Sequence, residues 1–345
     1  MFFTTDNITY LLNSDQQSVT VTKSLAPYCG DISIPATVVN NGVEYAVTDI
    51  LDEAFAGCTE LTSVVIGDNV ESLGISSFEG CTQLSDISFG KGVHIIGISA
   101  FKGCTSLKEI ELPSGVIVIG NSAFAACTSL KGITLSKNLI NIEPSLFDGC
   151  TALENVAFGT MAESIGEYAF CGCTSLKDIA LPDSVVSIEG WAFRDCSQLR
   201  SITLPQDLQS VKKGAFWGCS SLERFELPAG VNIVDQGVLA NCTSLREVTL
   251  HEGVLSIGYG AFYNCSAIEE ITVPKAVVSV GDQAFRSCRS LKRLHVMCEA
   301  APMCSADIAD ADVYANTLLL VPAGLVGEYG FARIWEKFGN VEEIS

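Results

Sequence analysis

Fifteen cysteines and three histidines are the residues of this 345-residue chain best suited to ligating a metal, cross-linking the chain or supplying a nucleophile. Their spacing argues against each use. Eleven cysteines follow one another at 23-residue intervals: Cys58, Cys81, Cys104, Cys127, Cys150, Cys173, Cys196, Cys219, Cys242, Cys265 and Cys288. Side chains at one place in every turn of a repeat point the same way, which fits the disulfide dihedral poorly. An odd number cannot all pair, and such a cysteine behaves as a small buried hydrophobe. Four others, Cys29, Cys171, Cys298 and Cys304, lie off this column. They leave one alternative open, a disulfide between Cys298 and Cys304. His295 is close to that pair in sequence, but a zinc site would still lack its fourth ligand. His94, His251 and His295 fall in different turns, none in an H-E-x-x-H spacing. No G-x-S-x-G or Walker A motif occurs, and Gly258-Tyr259-Gly260 lies inside the repeat. Carboxylates are abundant, but no motif places a pair of them. The chain reads as a non-enzyme with no catalytic residue, no metal and no cofactor.

What positions the cysteines is a repeat. Three residues before each stands an aromatic ring: Phe55, Phe78, Phe101, Phe124, Phe147, Phe170, Phe193, Phe216, Phe262 and Phe285, with Leu239 filling the one gap. Eleven matches without an insertion define a turn of 23 residues. Each turn has three pieces. A V-x-x-I piece (Val185 and Ile188) leads into a compact A-F-x-G-C-T-S-L piece (Ala100 to Leu107). An alternating L-x-x-I-x-L piece (Leu107, Ile110, Leu112) follows. The alternating piece has period two and predicts a short strand with one face buried. The A-F-x-G-C piece is too short for a free helix and predicts a single helical turn held by packing. Proline follows the strand at Pro113, Pro182, Pro205, Pro228 and Pro274, where the chain leaves the sheet. Stacked turns would bring the phenylalanines into one column, each turn touching only its neighbours.

Composition agrees with a packed chain: 48% of residues are apolar and 17% charged. No apolar run approaches the roughly 18 residues of a membrane span. Forty acidic residues against twenty basic give a net charge of −20, which repels nucleic acid and anionic membranes. The start, MFFTTDNITYLL, lacks the basic region of a signal peptide. The expectation is a cytosolic protein or one whose leader is absent from this chain.

The L-x-x-I-x-L-P strand, the A-F-x-G-C-T-S-L turn and the 23-residue period resemble the BspA-like leucine-rich repeats, a class found in surface proteins of Bacteroides and related bacteria. The resemblance implies an α/β repeat solenoid, a right-handed superhelix of stacked parallel strands with eleven turns and a cap at each end. The expected domains are an N-terminal hairpin-like cap at 1–42, a solenoid at 43–296, and a C-terminal cap of strand and helix at 297–345. Ile32 to Ile50 looks like the family's entry hairpin and Leu318 to Phe338 like its closing segment. The residues themselves support the caps. Ser18 to Thr22 alternates as a strand does, and Asn40-Asn41-Gly42 marks a turn. Residues 324 to 338 suit a helix with Leu325, Tyr329, Ile334 and Phe338 on one face, and Val341 to Ile344 a last strand. The family implies a secreted or surface-anchored protein that binds host or bacterial proteins, and it brings no catalytic residues.

A repeat scaffold recognises partners through its variable positions. One candidate surface is the outward strand face, including Glu109, Glu111, Asp178, Arg224, Glu226, Glu247, Glu270, Arg293 and His295 among threonines. The other surrounds the A-F turn. The residue two before the phenylalanine is Glu53, Ser76, Ser99, Ser122 and Ser145, then Tyr168 and Trp191. Trp217 and Tyr263 follow their phenylalanines directly, and Tyr259 lies close by. Exposed aromatics mark interaction sites, so Tyr168, Trp191, Trp217, Tyr259 and Tyr263 form the candidate patch. The plainer alternative is burial of these rings against neighbouring turns. The reading is a monomeric adhesion or binding protein for a protein or glycan partner, secreted or at the cell surface, with an intracellular scaffold as the alternative.

Overall fold

The structure, a computed structural model, describes residues 1–344 as two compact units, Met1–Ser175 and Leu176–Ser345. The fold is a leucine-rich-repeat β-solenoid of parallel strands with little helix.

In the first unit the chain enters through an antiparallel meander of Phe2–Thr5, Ile8–Leu12 and Ser18–Thr22. The two-residue loop Asp6-Asn7 has positive φ at both positions, as a hairpin that follows the strand twist requires. A second hairpin, Thr37–Asn40 with Val43–Ile50, turns on Asn41-Gly42 in the same way. Its outgoing strand runs parallel to Ser18–Thr22 and then to Ser72–Leu73, handing the cap over to the repeats.

From there two ladders grow. One is the expected alternating strand: Glu109–Glu111, Gly132–Thr134 and Asn155–Ala157 pair in parallel, Ile110 opposite Ile133 opposite Val156. The second uses the V-x-x-I piece, in which Ser72–Leu73, Ile95–Ile96 and Val118–Ile119 pair over two residues each. The second unit repeats both patterns, for example Arg224–Glu226 with Glu247–Thr249, and Ile233–Val234 with Ser256–Ile257 and Ser279–Val280.

The A-F piece departs from expectation: it is not a helical turn. Two of its residues hold positive φ, such as Ser99 (55°) and Gly103 (73°), and these left-handed positions four residues apart interrupt any helix. The N–H groups alternate in destination. Ala100, Lys102 and Cys104 bond three residues back in their own turn, while Ser99, Phe101 and Gly103 bond Asn121, Ala123 and Ala125 of the next. Every amide of a buried corner is thereby paired without a helix.

The core is the expected column. Each repeat phenylalanine is buried, and consecutive rings stack 4.8–5.9 Å apart from Phe55 to Phe170. Tyr28 extends the column outward, 4.4 Å from Phe55. The cysteine thiols have a definite use. Cys104 Sγ donates to the Phe78 carbonyl at 3.2 Å, and the same bond recurs along the column to Cys288 and the Phe262 carbonyl at 3.1 Å.

The C-terminal segment adds a turn of its own. Ile308 stands 23 residues after Phe285, and its carbonyl accepts the Phe285 N–H at 2.8 Å. With this turn and one at the N-terminus, the eleven phenylalanine turns become about thirteen. A helix at Ala311–Asn316, capped by Asp310, leads into the strand Leu318–Val321. The expected helix over 324–338 is shorter. It runs Val326–Phe331, stops at Ala332, and resumes as a 3-10 turn at Trp335–Lys337. Trp335 packs edge-on against Tyr329 and bonds the Pro302 carbonyl, so burying that indole takes precedence over helix continuity. The strand Asn340–Glu343 ends the sheet.

Candidate partner-binding surfaces

The strand ladders leave alternate side chains facing outward, so their exposed columns come straight from the pleat. In the first unit this face carries a shallow hollow of about 1080 Å³ over Asp86 to Ala157, edged by Glu109, Glu111 and Lys131. In the second unit the face is laced by ion pairs between turns: Arg224 with Glu247 (3.2 Å), Lys292 with Glu269 (2.8 Å) and Arg293 with Glu270 (2.5 Å). His295 Nε2 lies 2.6 Å from the other oxygen of Glu270. Lys292 holds the Glu269 carboxyl below its ordinary range, and Arg293 does the same for Glu270.

The A-F edge is built by the left-handed positions. Tyr168 belongs to the first unit and is half-buried at φ 57°. The other four patch residues belong to the second, where Trp191 and Trp217 come together with ring centroids 5.7 Å apart, edge to face. Each indole lies over a glycine of the following turn. A Cβ on Gly214 would fall 2.1 Å from the Trp191 ring, and one on Gly237 3.0 Å from Trp217. The Arg194 guanidinium sits 5.5 Å from the Trp191 centroid and pairs with Asp195. The tryptophans are thus half-buried by their own repeat, the plainer alternative of the sequence reading, although the glycine seat beneath each ring was not foreseen. Its signal was present, since Gly214 stands 23 residues after Trp191.

Tyr263 packs beside Gly260, while Tyr259 is 47% exposed and faces elsewhere. It forms the rim of a hollow of about 550 Å³ between the last repeat turns and the C-terminal segment. Asp282, Asp307 and Asp310 line it with Arg286 and Lys337. Asp307 pairs with Lys337, which keeps its carboxyl below the ordinary range.

A further exposed surface was not foreseen. On the V-x-x-I side of the first unit, Ile75, Ile95, Ile98, Ile117, Val118 and Ile140 are each 42–52% exposed, with Ile95 directly opposite Val118.

The buried column cysteines are not poised as thiolates. Among the described residues no cysteine forms a disulfide, Cys298 and Cys304 included. Burial pushes the Cys81 and Cys288 thiols up to about 12, far from the thiolate form that ligates metals or attacks electrophiles. Among the described residues no group of three His, Cys, Asp or Glu side chains is placed to hold a metal ion, and no helix is long and apolar enough to cross a membrane.

Residues 48–177 and 163–292 match the family model described as BspA type leucine rich repeat region. Among solved structures, the chain is similar to a leucine-rich repeat protein from Bacteroides ovatus ATCC 8483, with 28% identity over 99% of this chain and 100% of that one and a TM-score of 0.64. It is also similar to a leucine rich cell surface protein from Faecalibacterium prausnitzii A2-165, at 23% identity over 100% and 95% of the two chains and a TM-score of 0.63. The pneumococcal vaccine antigen PcpA aligns at 18% identity over 100% and 99%, with a TM-score of 0.56. The last two likenesses show the fold alone. No curated protein matches the chain.

Proposed function

The chain belongs to the BspA-type leucine-rich repeat family, and from that premise we propose that it works by binding rather than by catalysis, as a secreted or cell-surface protein that holds a host or bacterial protein against its A-F edge. The observation that carries this reading is the Trp191–Trp217 pair with Arg194 beside it. Tryptophan and arginine dominate the energetics of protein interfaces, and side chains already ordered by their own scaffold lose little entropy on binding. A location at the surface is part of this proposal; the F. prausnitzii protein that shares the fold is a cell surface protein.

The test is a binding screen of the purified chain against host matrix proteins and bacterial surface proteins, repeated with the double variant Trp191→Ala/Trp217→Ala. The expected result is a partner whose affinity falls at least tenfold, with the thermal midpoint of the variant confirming that it is folded. A verified partner that binds both proteins equally removes the tryptophan edge from the reading.

One observation favours an intracellular scaffold instead: no disulfide links any of the fifteen cysteines, and disulfides mark oxidising compartments. Antibody labelling of intact against permeabilised cells separates the two. Surface signal on intact cells is expected.

A further inference from the structure

Repeat turns stacked at constant register leave a periodic surface. Concavity arises where the closing turn, in register but without the repeat's residue pattern, folds against it. Residues 297–310 do this, laying Ser305 and Ala306 on the Asp282 carboxylate (2.6 and 2.8 Å) and placing Asp310 on the Ser287 N–H (3.2 Å). The result is the 550 Å³ hollow, within the size range of small-ligand sites.

The polar groups of the hollow divide into engaged and available. Asp282 uses only Oδ1 for its two bonds, and Asp307 only Oδ1 for Lys337 and the Tyr314 hydroxyl. The second oxygen of each remains an open acceptor. Arg286 makes no ion pair among the described residues, so its five N–H donors are open, and the Gln283 amide faces the same space. Tyr259 offers a half-exposed ring and hydroxyl at the rim.

The charges decide which ligand class fits. Arg286 and Lys337 stand against Asp282, Asp307 and Asp310, an excess of one negative charge. An anionic ligand meets the carboxylates, and a cationic one meets Arg286. A neutral group that donates and accepts at adjacent atoms is suited to both. Vicinal hydroxyls do this, accepting from Arg286 and Gln283 while donating to Asp282 and Asp307, and the C–H face of a pyranose ring covers an exposed aromatic. We propose that this hollow binds neutral pyranose units of a glycan chain. The site is separate from the tryptophan edge; it deepens the binding reading but does not depend on the protein partner.

Affinity electrophoresis of the full chain through gels carrying yeast mannan, amylopectin, xyloglucan or galactomannan tests this, with polygalacturonate as the charged control. Retardation by at least one neutral polymer and none by polygalacturonate is expected. Arg286→Gln and Tyr259→Ala should each weaken it at least tenfold. Arg289→Gln, an exposed cation of the same turn outside the hollow, should leave it unchanged. Absence of retardation in all four neutral gels, retardation that survives both variants, or preference for polygalacturonate overturns the proposal. The protein-binding reading is judged separately, on Trp191 and Trp217.

Discussion

In residues 1–175 the phenylalanine rings stack without interruption from Phe55 to Phe170; from residue 176 onward Phe193 stacks on Phe216 and Phe262 on Phe285, but Leu239 breaks the series between them. Otherwise each unit has a core of the same kind, with the same thiol-to-carbonyl bonds and the same left-handed corners. Their surfaces diverge. The first unit has six basic residues against nineteen acidic, and an exposed strip of isoleucines and a valine. The second has fourteen against twenty-one, all three tryptophans, and ion pairs between successive turns of its strand face. One repeat grammar fixes what points inward and leaves the outward positions free. Candidate binding chemistry therefore concentrates where those positions hold tryptophan, tyrosine and arginine together.

The largest expected effect uses the unbroken column. Phe147 is fully buried between Phe124 (5.9 Å) and Phe170 (5.3 Å). Phe147→Ala should cost about 3–5 kcal/mol. Because stability in such a fold is nearly a sum over neighbouring turns, the loss should fall on the first unit. Every tryptophan lies in the second, so indole fluorescence follows that unit alone. The far-UV circular dichroism midpoint should drop well below the fluorescence midpoint. Coincident transitions would mean that the two units unfold as one.

An intermediate effect compares the same corner in the two units. Gly214 holds φ 60° beneath the Trp191 ring; Ser145, the same position earlier in the chain, holds φ 54°. Gly214→Ala adds both left-handed strain and a collision with the indole, and should cost about 2–4 kcal/mol. Ser145→Gly relieves strain at the expense of chain entropy and should stay within about 1 kcal/mol of wild type. Equal costs would show that the ring is not seated on Gly214.

These corners also mark how far the sequence could be read. The period, the strand, the aromatic column and the hairpin at Asn41-Gly42 were all legible, because each leaves a residue-type signature at fixed spacing. The left-handed corner was not, since residues such as Glu53, Ser76 and Trp191 occupy it in eight turns and only Gly214, Gly237 and Gly260 hint at its conformation. Ile308 was in register but carried no ring, and Tyr28 carried a ring out of register. Of the five patch residues, the structure brings Trp191 and Trp217 into contact and turns Tyr259 toward the hollow. Tyr259 and Asp282, Gln283 and Ala306, and Arg286 and Ala309 of that hollow stand 23 residues apart, so the period does reach its wall; what went unread was the closing turn itself, whose Ile308 carries no ring.

The smallest expected effect is electrostatic. Glu269, Glu270 and Asp307, all in the second unit, are held below their ordinary ranges by Lys292, Arg293 and Lys337. A depressed carboxyl contributes stability that is complete above its unfolded value and is lost as pH falls through its folded value. The loss therefore belongs below about pH 4. The first unit should lose less: it has two depressed carboxyls, Asp15 and Asp31, against three, and protonation also relieves its larger acidic excess. Acidification from pH 6 to 3 should lower the fluorescence midpoint more than the circular dichroism midpoint. The pairs are exposed, so the shift should be small and should shrink further in high salt. A fluorescence midpoint that holds steady while circular dichroism falls would reverse the assignment: repulsion between carboxylates, rather than their pairing with lysine and arginine, would then govern how the second unit responds to acid.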